Sequence, residues 1–250
     1  MKHRNSSLGT TCGFGLIIGL MLNLTACAAM SGLGGTNWQE EVLLHDGSKL
    51  VVERSVERGG PHEIGQRPSY TSEALAFRHP TTGVQIVWED KATPDLKNSN
   101  FLPMALDIYQ GTVYLVASPM GCLAYNKWGR PNPPYVVFRY GDTRWKRVPL
   151  QELPAETKAL NLIFSSPDTA VEKLGKRFVE AETITQINAG FRQPEYKAIL
   201  REPLSKGRIK QMCEERVLYK GYWILPNDPI ARKLIDKRQQ RFSEDSGEEK

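Results

Sequence analysis

Between residues 38 and 148 apolar and polar positions tend to alternate with a period of two, and turn residues interrupt them at short intervals. That pattern predicts consecutive β-hairpins. Segments 41–45 and 48–52 flank Asp46-Gly47, and a two-residue loop there sets Leu43 against Leu50 and Val42 against Val51. Segments 74–77 and 84–88 are joined by Pro80-Thr81-Thr82-Gly83, where the glycine supplies a left-handed position. Segments 105–109 and 112–117 turn at Gln110-Gly111. Segments 135–140 and 144–148 turn at Gly141-Asp142, a register that opposes Phe138 to Trp145 and Arg139 to Arg144. Residues 58–70 and 89–100 read as connections. Residues 118–134 carry four prolines and read as a long irregular stretch.

The last third changes character. Residues 160–164 are a short apolar strand candidate. Ser166-Pro167-Asp168 is a helix start, with serine as N-cap and proline in the first turn. Val171, Leu174 and Phe178 form its apolar stripe, and Gly175 weakens it. A second helix spans about 181–188 and ends at Gly190. A hairpin over 217–225 turns at Lys220-Gly221, and Asp228-Pro229 starts a last helix with Ile230, Leu234 and Ile235 on one face. The fold class is therefore mainly β within α+β. An antiparallel meander forms a curled sheet, partial barrel or sandwich, followed by short C-terminal helices. Several strands are nearly apolar on both faces, so part of the sheet is covered twice, with the last third as the cover.

The N-terminus has another design. Lys2, His3 and Arg4 precede an eleven-residue apolar run at 14–24. That run is too short for a membrane-spanning helix, which needs about 20 residues, and has the length of a signal-peptide core. Leu24-Thr25-Ala26-Cys27 then resembles the lipobox of bacterial lipoproteins. The resemblance implies cleavage before Cys27 by signal peptidase II, with a diacylglycerol thioether and an N-acyl chain on that cysteine. One acyl chain binds membranes marginally and two bind stably, so three imply a permanent anchor. Ala28, where aspartate marks inner-membrane retention, implies the periplasmic face of the outer membrane. The Gly, Ala and Ser of 28–37 form a tether with an end-to-end distance of roughly 15–20 Å. The body, particularly Gly60-Pro61-His62-Glu63-Ile64-Gly65-Gln66 and the run from Ala124-Tyr125-Asn126-Lys127-Trp128 to Pro134-Tyr135, is similar to uncharacterised proteobacterial lipoproteins. That similarity implies location and no activity. The expected division is a signal peptide at 1–26, lipidated cysteine and tether at 27–37, one periplasmic domain at 38–235, and a disordered charged tail at 236–250.

Removing the leader discards Cys12, Lys2 and Arg4 and no acid, so the formal net charge drops from +5 and stays mildly positive. Neither that charge nor an exported location calls for nucleic acid. Cys122 and Cys213 remain besides Cys27, 91 residues apart. An even pair in an oxidising compartment predicts a disulfide. The alternatives are two structural thiols, or Cys122 as a nucleophile.

Chemistry is sparse. His62-Glu63-Ile64-Gly65-Gln66 begins like a zinc-protease motif, but Gln66 stands where the second histidine is needed. His45, His62 and His79 all sit beside predicted turns. There is no nucleophile elbow and no phosphate-binding loop, and no metal or other cofactor is implied. The most distinctive stretch is 125–147, with six aromatic and six basic residues against one acid. Trp128, Arg130, Arg139, Arg144 and Trp145 are its candidate binding residues, by aromatic stacking and guanidinium forks. They would take an acidic glycan, a lipid headgroup or an envelope protein. The plainer reading is core aromatics on one face and solvated charges on the other, with Trp128 strapped over the sheet. The expectation is a non-enzymatic binding module of the envelope. The alternatives are an envelope hydrolase using His62 or Cys122, and protection against a periplasmic toxin.

Overall fold

Two antiparallel meanders carry the structure, a computed structural model that describes residues 35–245 apart from Pro61. Cys27 and most of the tether lie outside the described residues. The first meander comprises β1 (Thr36–Leu43), β2 (Lys49–Gly59), β3 (Ser69–Arg78) and β4 (Gln85–Lys91). The second comprises β5 (Phe101–Tyr109), β6 (Thr112–Pro119), β7 (Val136–Gly141) and β8 (Arg144–Val148). A short helix, α1 (Gly121–Lys127), links β6 to β7. After β8 come α2 (Pro167–Leu174), β9 (Phe178–Val179), α3 (Ala181–Ala189), α4 (Lys206–Met212), the hairpin β10 (Val217–Tyr219) and β11 (Tyr222–Ile224), and α5 (Pro229–Asp245). β9 joins the first sheet by pairing in parallel with β1.

The meanders face each other. Val42, Val52, Leu75, Phe77, Ile86 and Trp88 from the first sheet share one core with Phe101, Leu106, Val113, Leu115 and Val136 from the second. Of the architectures the pattern permits, the sandwich is the one formed. The far face of the second sheet is buried too, as Tyr114, Val116, Tyr135 and Val137 pack under Leu153, Leu160, Phe164 and Ile199. The last third is thus the second cover, as expected.

Segment 160–164 is not a strand. It is an irregular wedge that feeds three cores: Leu162 enters the sandwich, Leu160 and Phe164 the outer layer, and Ile163 the cluster of Trp38, Val56, Tyr70, Val171 and Ile184 beneath α2 and α3. An irregular buried backbone needs side chains as hydrogen-bond partners. Ile163 N donates to Glu40 Oε2 at 2.9 Å, and Arg54 donates to Ile163 O at 2.9 Å. Asn188 donates to Leu162 O at 2.9 Å, and Asn161 accepts from Leu106 N at 2.9 Å.

Glu40, Arg54 and Glu73 lie side by side on β1, β2 and β3, all with 2 % exposure or less. Arg54 binds Glu40 Oε1 at 2.9 Å and also bonds Glu73, while Trp38 Nε1 donates to Glu40 at 2.6 Å. Burial pushes the Glu73 carboxyl up to about 7, against the pull of Arg54.

The differences from expectation are local. Leu44 N bonds Ser48 O, so the first loop has three residues, with Gly47 left-handed, and Val42 faces Leu50. The fourth turn is Asp142-Thr143, both at positive φ, which pairs Tyr140 with Trp145 and Arg139 with Lys146. Arg139 therefore does not oppose Arg144, and Phe138 does not oppose Trp145. A slip of two residues leaves each side chain on its own face. Left-handed Gly175 ends α2, so Phe178 enters β9 instead of the helical stripe. α5 runs on through Asp245, into the tail expected to be disordered, and of Ile230, Leu234 and Ile235 Ile235 alone is buried. β1 begins at Thr36, inside the expected tether.

Two outcomes follow for stability. Arg54→Met leaves two buried carboxylates and Ile163 O without their cation, so urea denaturation will show a loss of about 3–5 kcal/mol. In the unfolded chain Glu73 titrates near 4.5 and in the fold near 7, so its contribution to stability falls as pH rises through that window. Glu73→Gln will flatten that part of the pH–stability curve, and a parallel curve for the variant would contradict the assignment.

Candidate functional site

Cys122 and Cys213 are bonded, with their Cα atoms 5.3 Å apart. A bonded Cys122 has no thiolate, so it is not a nucleophile in this state. The bond fastens α1 to the end of α4. Around it, Asn126 donates to Glu214 O at 2.9 Å and Arg130 donates to Cys213 O at 2.9 Å. Asn132 and Leu204 also exchange hydrogen bonds across this seam. α1 occupies part of the stretch expected to be irregular, and it starts from Met120 without a side-chain cap.

No hydrogen bond, ion pair or ring contact links any two of the five candidate binding residues. Trp128 lies on Phe101, ring centroids 4.6 Å apart, and donates to Asn100. Trp145 packs edge-on against Tyr140 at 5.3 Å and donates to Val87 O, which joins the open edges of the two sheets. Arg130 covers the Tyr125 ring and spends its guanidinium on Asn126 and two backbone carbonyls. Arg139 pairs with Glu152 at 3.2 Å, an exposed contact worth little. Arg144 is exposed at the hairpin end. The strap reading of Trp128 describes its contacts.

The histidines differ from one another. His62 is exposed and contacts Gly60 O. His79 is buried and closes the second hairpin, with Thr81 N and Thr82 N on Nδ1 and Gly111 O at Nε2. His45 stands apart. Its Nδ1 lies 2.8 Å from Asp107 Oδ1, and Asp107 is 2 % exposed and also accepts from Thr157 Oγ1 at 2.5 Å. The hydrogen bond to Asp107 holds the His45 imidazole above its ordinary value despite partial desolvation. The pair therefore adds stability below about 6.5 that is lost as pH climbs through the raised value. The signal for it was an acid inside the apolar run Ala105-Leu106-Asp107-Ile108, which the periodic reading passes over.

Clefts flank this region. One of about 660 Å³ runs from Tyr109 and Tyr114 to Glu152 and Glu156. A second, of about 790 Å³, lies along Val137, Val148 and the Pro131–Pro133 loop. Arg201 lines both. It donates to the carbonyls of Leu150, Leu153, Pro154 and Thr157, and burial lowers its pKa. It holds residues 150–157, of which 150–156 wall the first cleft and Leu150 and Gln151 the second as well.

A third cavity, of about 360 Å³, lies at the cysteine bridge and is lined by Tyr125, Glu195, Tyr196, Arg208 and Met212 among others. Glu195 is fully buried and takes one bond, from Arg208 at 2.6 Å. Its second oxygen and the Tyr125 hydroxyl have no hydrogen-bond partner. Among the described residues no group of three or more His, Cys, Asp or Glu could hold a metal ion. Compared with protein families, curated proteins and solved structures, the chain shows no match.

The bridge closes a 91-residue separation, for which chain entropy gives about 4–5 kcal/mol. Cys122→Ser with Cys213→Ser will lower unfolding stability by up to that amount. An unchanged midpoint in urea would mean that native contacts alone hold α4 in place.

Proposed function

We propose that the protein is a lipid-anchored binding module of the bacterial envelope, on the periplasmic face of the outer membrane. The observation that carries the reading is Leu24-Thr25-Ala26-Cys27 behind its short apolar run. The Cys122–Cys213 bond supports it, because oxidising compartments are where such bonds persist. Among the described residues no helix is long and apolar enough to cross a membrane, so attachment in this reading rests on the acyl chains. The clefts and the bridged cavity supply concave surface for small ligands.

The test is the intact mass of protein extracted from membranes. It is expected to begin at triacylated Cys27 and to take up no alkylating reagent before reduction. Cys27→Ser is expected to leave the membrane fraction, and a variant that stays there would overturn the anchor.

One observation favours a hydrolase as a second reading. A buried carboxylate orienting an imidazole, as Asp107 does for His45, is the base-and-orienter half of a catalytic triad. Turnover of p-nitrophenyl acetate that His45→Gln abolishes would replace the first reading with this one.

A further inference from the structure

The last helix carries an apolar face that the domain leaves open. α5 packs on the β10–β11 hairpin through one side. Ile235 is buried there, and Asp236 accepts from the Tyr219 hydroxyl at 2.9 Å and from Lys220 at 2.7 Å. Arg232 covers the Tyr219 ring and donates to Pro226 O. Residues three and four apart share a helix face, so Ile230, Leu234 and Lys237 lie opposite the packed side, with Lys233 beside them. Ile230 is 71 % exposed and Leu234 63 %, and both lysines are exposed. From Pro229 to Arg241 the sequence holds five basic residues, and its one acid is Asp236, already paired with Lys220. The acids of the chain's end begin at Glu244.

The helix stands at the end of the sandwich where the chain enters the domain. Its hairpin is fixed there, since Trp223 Nε1 donates to Asp95 O at 2.9 Å and Arg216 N donates to Asn126 on α1 at 3.0 Å. Asp95 follows β4, whose last residue, Lys91, pairs with Ser72. Ser72 pairs with Glu57, the neighbour of the Val56 that pairs with Thr36. Three strand spacings, about 14 Å, separate β1 from β4. Gly35 follows Cys27 by eight positions, which span at most about 29 Å. Acyl chains on Cys27 would keep this end of the domain within that distance of a bilayer. A contact made by a tethered domain is intramolecular, so a weak one is enough to be populated.

We propose that the outer face of α5 is a second membrane contact, which docks on a surface of anionic phospholipid. Ile230 and Leu234 enter the headgroup boundary, while Lys233 and Lys237 lay their stems beside them and set their ammonium groups on phosphate. The inference rests on the lipid-anchored reading. Two apolar residues over two turns make a small contact, which orients the domain on the membrane and does not replace the acyl anchor. A second copy of the chain is a poorer occupant, because two such faces packed together oppose lysine to lysine.

The full acylated chain reconstituted in vesicles tests it. Ile230→Cys labelled with nitrobenzoxadiazole reports on α5. Val84→Cys, exposed in the turn after β3 at the far end of the sandwich, is the reference. Cys122 and Cys213 are bonded to each other and Cys27 is acylated on this reading, so the introduced thiol takes the label. The vesicles are phosphatidylcholine alone or mixed with phosphatidylglycerol. The Ile230 probe is expected to shift to the blue on the mixed vesicles and less on phosphatidylcholine, and the Val84 probe on neither. Lys233→Glu with Lys237→Glu, both on the solvent side, is expected to lower the ratio of docked to undocked helix by about tenfold or more, from the usual worth of two basic residues at an anionic surface. High salt is expected to act in the same direction. Equal spectra from the two sites, equal shifts on the two vesicles, or a shift unmoved by the double variant would overturn the proposal. So would a blue shift in detergent alone that grows with protein concentration, which would assign the face to a second copy. Flotation with the vesicles reads the acyl anchor separately. A chain that floats while its Ile230 probe stays in water loses this contact and keeps the anchor, and a chain that does not float loses both.

Discussion

The fold depends on a single buried cation. Arg54 stands in the middle of the first sheet with Glu40 on one side and Glu73 on the other, and reaches beyond the sheet to the carbonyl of Ile163. Charges so deep are costly, and apolar replacements of whole ion clusters are often as stable. What an apolar set does not supply is a partner for backbone. The wedge at 160–164 has no ladder of its own, and both the N–H and the C=O of Ile163 end on this cluster. The cluster therefore acts as the socket in which the wedge sits, and through the wedge three cores are joined. Apolar residues alone would fill the volume without specifying which irregular backbone lies over it.

The same device recurs through the C-terminal half. Asn188, Tyr135, Arg201 and Arg130 each bond main-chain atoms of segments that lack regular pairing. The helices there are short, and short helices are marginal without packing. Side-chain bonds to loop carbonyls, one disulfide and a thin apolar layer take the place of sheet hydrogen bonds. The result is a layer with fixed concave surfaces, the two clefts around Arg201 and the cavity under the bridge. Each is walled by loop backbone that a named side chain holds.

Turn chemistry made the sheets legible. Gln110-Gly111 and Lys220-Gly221 occupy the left-handed positions their hairpins require, and the strands around them follow. Register was less so, because Asp46-Gly47 and Gly141-Asp142 each sit in a turn of different length or position from the one their dipeptides favour. α1 and α4 escaped notice for the same reason in another form. α1 has no capping side chain, and neither helix buries enough apolar stripe to show a period. The site was hardly legible at all. Aromatic and basic residues at 125–147 drew attention as a surface, yet Trp128 and Trp145 were needed by the sandwich and Arg130 by the bridge. Glu195 and Tyr125 gave no signal, since nothing in a linear pattern shows that an acid and a phenol 70 residues apart will be sealed into one wall.

Two of the three concave regions lie toward opposite ends of the sandwich. The turns after β1, β3 and β5 gather at one end, where His45 meets Asp107 and His79 meets Gly111. The start of β1 at Thr36, the exit of β4 and the entry to α1 gather at the other. Thr36 pairs with Val56, Val56 with Glu73 and Glu73 with Asp90, while Asp90 accepts from Asn100, whose carbonyl accepts from Met120. On the lipid-anchored reading the chain reaches the domain at Thr36. An eight-residue strand then separates the two ends by about 25 Å. The bridged cavity sits at the Thr36 end, and the cleft along Tyr109 and Gln110 at the end away from it. On that reading the first lies on the membrane side of the domain and the second on the side away from it, one strand length apart.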